Sequence, residues 1–236
     1  MNFLYLLPGA FFAPVIHEFV KARVSAALGD PTPKKSGFIT WNPFKFFEPI
    51  GFFLMLFFQV GWGQPVTTSP LYYRNKRKGI IQTYTAPTVA NLLVGMLVIM
   101  ALGFLGAPLL SWAESYGAAA KDAMTVSLDS GMMLNWPAAM EYTQDIPFSF
   151  YIVLALNEVA IPFARANIGL ALFNLIPVFP MAANKLLHLF VSPETSMRLN
   201  HYEKPLQLLL LLMIVIGVVQ TIIFPIREMI ISVVSF

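Results

Sequence analysis

The sequence predicts an all-α integral membrane protein with about five transmembrane helices and one half-length helix. Three observations carry that expectation. Of 236 residues, 57% are hydrophobic and only 11% are charged, whereas an average soluble domain has about 25% charged residues. The mean hydropathy is +0.69, too apolar for a water-facing surface. The apolar residues also fall in runs long enough to cross a hydrocarbon core roughly 30 Å thick. The lipid bilayer is therefore the first partner implied. Net charge is only +3, and the basic residues cluster in short loops, which suits topology signals and argues against nucleic-acid binding. The 21 Phe and 12 Met suit lipid-facing, loosely packed helix surfaces. Cysteine is absent, so there is neither a disulfide framework nor a thiolate for metal or nucleophilic chemistry.

The first expected crossing covers about 2–28 and is interrupted by His17, Glu18, Lys21 and Arg23. It is a poor signal peptide, because no basic residue precedes it and its apolar run continues into charge. The second covers about 46–64 and is rich in Phe. The third covers about 80–106 and the fourth about 147–176. The fifth, Pro205 to Ile226, is the cleanest, since Leu206 to Val219 holds one polar side chain, Gln207. Pro180 to Val191 has room for a short helix but not for a crossing. With no internal repeat or low-complexity tract, residues 1–236 read as a single domain.

Loop charge gives an orientation. Arg74, Lys76, Arg77 and Lys78 form a basic loop that belongs on the cytoplasmic side. The connection from Ala107 to Ile146 carries Glu114, Asp122, Asp129, Glu141 and Asp145 against Lys121 alone, so an external loop at about 107–145 is expected. Its Trp112, Tyr116, Trp136 and Tyr142 suit either a partner-contacting surface or interfacial anchoring. Alternating crossings then place the N-terminus in the cytoplasm. Lys34, Lys35 and Lys45 run against this scheme, in a loop that it places outside. That loop holds Phe38-Ile39-Thr40-Trp41, an extended-looking stretch expected to form a small surface hairpin.

The chemistry concentrates in His17-Glu18-Phe19-Val20-Lys21. It begins like the zinc-protease motif His-Glu-x-x-His, which sets two imidazoles one helical turn apart with a glutamate as general base. Here the second histidine is Lys21, whose ammonium has three donors and no lone pair for a metal. Residues i, i+3 and i+4 share a helical face, so His17, Glu18 and Lys21 project together. Short partial matches are common, and three polar groups can simply solvate one another. Ionisable residues inside a spanning segment are nonetheless costly and usually face a protein interior.

The wider chain resembles bacterial site-2 proteases, which are intramembrane zinc metalloproteases. Ala13-Pro14-Val15-Ile16-His17-Glu18 with Leu28-Gly29-Asp30-Pro31-Thr32 looks like that family's start. Phe38-Ile39-Thr40-Trp41-Asn42-Pro43 resembles its Gly-Arg-Leu-Thr-Leu-Asn-Pro loop, and Glu48-Pro49-Ile50-Gly51 its Asp-Pro-Ile-Gly. Gly61-Trp62-Gly63-Gln64-Pro65-Val66 is similar to Gly-Trp-Ala-Lys-Pro-Val, and Tyr73-Arg74-Asn75-Lys76-Arg77-Lys78-Gly79 to Phe-Arg-Asn-Pro-Arg-Arg-Gly. Ala86-Pro87-Thr88-Val89-Ala90-Asn91-Leu92-Leu93 resembles Ala-Gly-Pro-x-x-Asn-Leu-Leu with its Gly-Pro altered. Phe173-Asn174-Leu175-Ile176-Pro177-Val178-Phe179-Pro180-Met181 resembles Phe-Asn-Leu-Ile-Pro-Ile-Pro-Pro-Leu. Each match alone is weak; seven in one order are strong.

The departures fall where the resemblance puts the metal. The family's last motif continues Leu-Asp-Gly, and its aspartate is a zinc ligand. Here Ala182 stands at that position. Of three implied ligands only His17 remains, with Glu18 as a vestigial catalytic base. His188 lies six residues beyond Ala182, about 240° round a helix, and His201 sits in a polar stretch. Lys21 either pairs with Glu18 in place of the missing cation or snorkels towards an interface.

Two functions follow. One is a catalytically inactive site-2-protease-like scaffold, assembly factor or membrane-complex subunit, with no cofactor and with other membrane proteins as partners. The other is an active intramembrane zinc metalloprotease with a rearranged site. The resemblance places either in a bacterial inner membrane. A small carrier has only the buried polar cluster in its favour and lacks repeat symmetry.

Overall fold

The computed structural model describes residues 3–130, 146–178 and 181–234. Among these, every regular element is helical. Helix α1 (Phe3–Ala27) matches the first expected segment and carries Pro8 and Pro14 within it. After a four-residue helix α2 (Thr32–Lys35) comes a 3-10 turn at Pro43–Phe46, capped by the Asn42 side chain. No strand forms at 38–41, where the expected hairpin is instead a series of bends. Aromatic side chains hold that loop: the Phe38 and Phe46 rings lie 5.7 Å apart, and Arg23 lies 5.0 Å from Trp41.

The second expected crossing is corrected. Helix α3 (Pro49–Phe58) has only 10 residues, about 15 Å of rise and too short to span. It starts at Pro49, behind an N-cap in which Glu48 accepts from Gly51 N. It stops at Gln59, which adopts the left-handed conformation with φ 58°. The chain then doubles back. A Cβ on Gly51 would collide with the Trp62 backbone, and one on Gly61 with the Gly51 carbonyl. Residues 60–68 form no regular structure and pass against α1, where a Cβ on Gly63 would stand 3.1 Å from Pro14, with Gln64 N donating to Phe46 O at 2.8 Å.

Helix α4 (Lys76–Glu114) has 39 residues and begins at Asn75, whose Oδ1 accepts from Lys78 N. One face, Ile80, Thr83, Pro87, Asn91, Gly95 and Ile99, is buried. The opposite face, Val89, Leu93, Leu97, Met100 and Phe104, is exposed. Small and polar residues point inward and large apolar ones outward, the reverse of a water-soluble helix and the pattern of one packed within lipid. Helix α4 continues past its expected end, and α5 (Ala118–Ser130) follows it, so the connection after Ala107 is helical as far as it is described. Glu141, Asp145, Trp136 and Tyr142 lie outside the described residues.

Helix α6 (Phe148–Phe173) packs against both α1 and α4. Asn91 joins the three: its amide donates to Ala13 O on α1 and to Asn167 Oδ1 on α6, both at 2.9 Å. Then come α7 (Ala182–Leu187) and α8 (Pro193–His201). The short helix expected at 180–191 is thus half that length, and Phe179 and Pro180 lie outside the described residues. The fifth expected crossing is two helices, α9 (Glu203–Val215) and α10 (Val218–Val234), bent by 67°. The break sits at Gly217, whose φ is +85°. Among the described residues, two helices, α4 and α6, are long and apolar enough to cross a membrane, or three if the bent pair is one span.

Candidate functional site

The polar turn of α1 faces inward. His17, Glu18 and Lys21 are each 6% exposed. Lys21 Nζ stands 3.1 Å from Glu18 Oε2 and 3.4 Å from Oε1. The pairing is therefore real, and Lys21 does not snorkel. Val66 N, on the segment that follows α3, donates to Glu18 Oε2 at 2.7 Å. The ammonium also lies 5.5 Å from the Tyr84 ring centroid, a position favoured by the ring quadrupole. Glu18 is thus fixed from two sides, by a cation on its own helix and by a backbone donor from the returning loop. His17 Nδ1 has no hydrogen-bond partner among the described residues. A small cavity of about 10 Å3, room for about one water molecule, is lined by His17, Glu18, Trp62, Asn174 and Met181 among others.

The residues present do not fit a zinc centre. Ala182 opens α7 immediately after Met181 and is buried, with its N–H directed to Asn174 Oδ1 at 3.3 Å. A methyl group stands there and supplies no ligand atom. Lys21 offers a cation where a lone pair is needed. His188 is turned to Ser196, with Nδ1 2.6 Å from Oγ, and His201 is exposed beside Tyr202. Among the described residues no group of three or more His, Asp and Glu side chains converges as a metal site would need. One imidazole and a carboxylate already tied to an ammonium leave most of a tetrahedral sphere without protein ligands. The geometry favours charge neutralisation.

A protein of Bacillus subtilis (strain 168) named "Putative zinc metalloprotease YwhC" is 27% identical over 199 residues, covering 84% of this chain and 74% of that protein. The chain is a membrane protein similar to a metalloprotease. No protein-family model matches it, and no solved structure does. The similarity points towards a site-2-protease-like family, in line with the ordered motifs of the sequence.

Several buried polar groups escaped the sequence reading. Asp30 accepts from Ser25 Oγ at 2.8 Å, Thr32 N at 2.9 Å and Ser69 N at 2.6 Å. The Tyr73 hydroxyl bridges Ser25 and Thr83, at 2.8 and 3.0 Å. An ionised Asp30 only accepts, so the donors run in one direction, Thr83 to Tyr73 to Ser25 to Asp30. Burial alone would raise the Asp30 carboxyl, but the donors from Thr32, Ser69 and Ser25 hold it below the usual carboxylate range. On α6, Glu158 is fully buried and neither carboxyl oxygen has a partner among the described residues. On α10, Arg227 is 5% exposed and donates to Gln59 Oε1 at 2.7 Å and to Glu228 Oε1 at 2.9 Å. An acidic or basic residue inside a long apolar run was the available signal for both.

Proposed function

We propose that the chain is a catalytically inactive site-2-protease-like membrane protein, serving as a scaffold, assembly factor or subunit of a membrane complex. One observation carries this reading: the buried Lys21 ammonium 3.1 Å from Glu18, where the resembling proteases put their second histidine. A cation bound to the catalytic carboxylate neutralises the base and occupies the metal's electrostatic role. The side chain at Ala182 removes a further ligand on a separate element. In this reading no cofactor is bound, the partners are lipid and other membrane subunits, and residues 1–236 act as one domain. The protein sits in a bacterial inner membrane with the basic run from Arg74 to Lys78 on the cytoplasmic side and the acidic connection at about 107–145 outside; because α3 is too short to cross, the cytoplasmic N-terminus expected from five alternating crossings is not part of this reading.

Metal analysis of the protein purified from native membranes tests it. The expected result is zinc well below one equivalent, together with a co-purifying membrane protein in mild detergent. Stoichiometric, tightly held zinc would overturn the reading.

A second reading, an active intramembrane metalloprotease with a rearranged site, draws on the name of the Bacillus subtilis relative and on the retained Glu18 and partnerless His17 Nδ1. Its test is cleavage of a tethered transmembrane substrate that is lost in Glu18→Gln.

A further inference from the structure

Residues 60–66 lie against the Glu18–Lys21 pair, and that segment is pinned at both ends. Val66 N donates to Glu18 Oε2 at 2.7 Å, and Trp62, Gly63 and Pro65 line the small cavity beside His17 and Glu18. Val60, Gly61, Gly63 and Val66 are buried, so the segment is part of the packing. Downstream it is held by Asp30, whose Oδ2 accepts from Ser69 N at 2.6 Å.

Upstream it is held by α10. Arg227 Nη1 donates to Gln59 Oε1 at 2.7 Å. Gln220 Nε2 reaches Phe58 O at 3.4 Å and Ile214 O at 3.0 Å, so it ties the end of α3 to both sides of the α9–α10 break. Arg227 is itself fixed: it is buried, its guanidinium lies 4.4 Å from the Phe224 ring centroid, and its Nε donates to Glu228 at 2.9 Å. Gln59, with φ 58°, is the one residue other than glycine with a left-handed backbone among the described residues. That conformation is costly for a residue with a Cβ and persists where surrounding contacts impose it. Here the contact comes from a buried cation 168 positions away in the chain.

Helix α3 and the start of the segment move as one unit, because the Gly51 backbone is packed on Gly61 and Trp62 with no room for a Cβ on either glycine. A close-packed unit transmits a displacement more readily than it absorbs one. Helix α10 has room to pivot, since a Cβ on Gly217 at the break would meet nothing within 4 Å. We propose that α10 is a latch. Through Phe58 and Gln59, Gln220 and Arg227 keep α3 and residues 60–66 where Val66 N meets Glu18, and release of α10 opens the Glu18–Lys21 pair to water. Arg227 is then a positioning residue for a pair that it does not touch. The inference rests on the ion pair that carries the inactive reading, but not on zinc content.

The test uses the full chain in mild detergent, with acylation of Lys21 by acetic anhydride and amide hydrogen exchange both read by mass spectrometry. Arg227→Met, which leaves Glu228 paired with Arg165, is expected to speed Lys21 acylation and exchange at residues 62–66 about tenfold. Gln59→Asn should do the same, being one methylene shorter yet suited to a left-handed turn. The double variant should be no faster than either single one, because both remove the same contact. Acylation of the exposed Lys34 and Lys35 and exchange in α5 should stay at wild-type rates throughout. Wild-type rates at Lys21 in both single variants would overturn the proposal, as would effects that add in the double variant. Faster exchange in α5 alongside Lys21 would also overturn it, in favour of general loosening. Zinc measured on the same samples bears on the inactive reading alone, so the two can fail separately.

Discussion

Lys21 and Glu18 share one fate. Each is buried, and removing one partner leaves the other as a charge without compensation, a change that costs about 3–5 kcal/mol for buried pairs. Lys21→Ala is therefore expected to lower the melting temperature sharply in detergent. Glu18→Gln/Lys21→Met, which removes both charges and keeps the volume, should melt closer to wild type than Lys21→Ala does. Equal losses for the two variants would mean that the pair is not coupled. Asp30 gives a pH dependence. Its carboxyl titrates below the ordinary value of about 3.9, so the folded state holds its proton less tightly than the unfolded chain. The stability it contributes is present above about pH 4 and is lost as the pH falls through the folded value. Melting between pH 6 and 3 should show that loss, and Asp30→Asn should flatten it while lowering the pH 6 melting point. The His17, Glu18 and Lys21 face was legible in the sequence because i, i+3 and i+4 spacing fixes a shared side of a helix. The Asp30 network was not, because Ser25, Ser69, Tyr73 and Thr83 meet it only through the fold.

At the level of elements, the long helices were readable and the breaks were not. Continuous apolar composition announced α1 and α6 within a few residues of their ends and α4 at its start, although α4 runs eight residues past its expected end at 106. The same composition misled at 46–64, where α3 ends after 10 residues. What stops it is tertiary: the Gly61 backbone packs on Gly51, Arg227 of α10 holds the Gln59 side chain at 2.7 Å, and Gln220 reaches Phe58 O at 3.4 Å. None of those contacts leaves a local mark. Gly217 is similar, since an isolated glycine in an apolar run is ordinary in membrane helices, yet here its φ of +85° turns the chain by 67°. Gly217→Ala should lower stability by about 1 kcal/mol through its left-handed backbone alone, with open space around its new methyl. Gly95 is the opposite case. A Cβ there would sit 2.8 Å from Ala164 O and against Ile168, so Gly95→Val should push α4 off α6 and cost more than Gly217→Ala. Melting of the two variants side by side orders the effects; a smaller loss at Gly95 would mean that the α4–α6 contact is slack.

For the molecule as a whole, the decisive quantity is which side of the membrane each end of α4 occupies. Its 39 residues rise roughly 58 Å, well beyond a hydrocarbon core of about 30 Å, so one end must project from the bilayer. The exposed stripe from Val89 to Phe104 places the lipid-facing stretch in the middle and second half, close to the aromatic cluster of Trp112, Tyr116 and Phe150. The basic run at Arg74 to Lys78 then lies at the opposite surface, where the positive-inside rule puts the cytoplasm. The chain has no cysteine, so single cysteines can be introduced without removing any. Asn75→Cys would cost the α4 cap, so the probes are Lys76→Cys at the start of α4 and Glu114→Cys at its end, both exposed. In right-side-out vesicles an impermeant maleimide is expected to label Glu114→Cys and to spare Lys76→Cys, with the reverse in inverted vesicles. Labelling of both from one side would mean that α4 does not cross, and the orientation drawn from loop charge would fall with it.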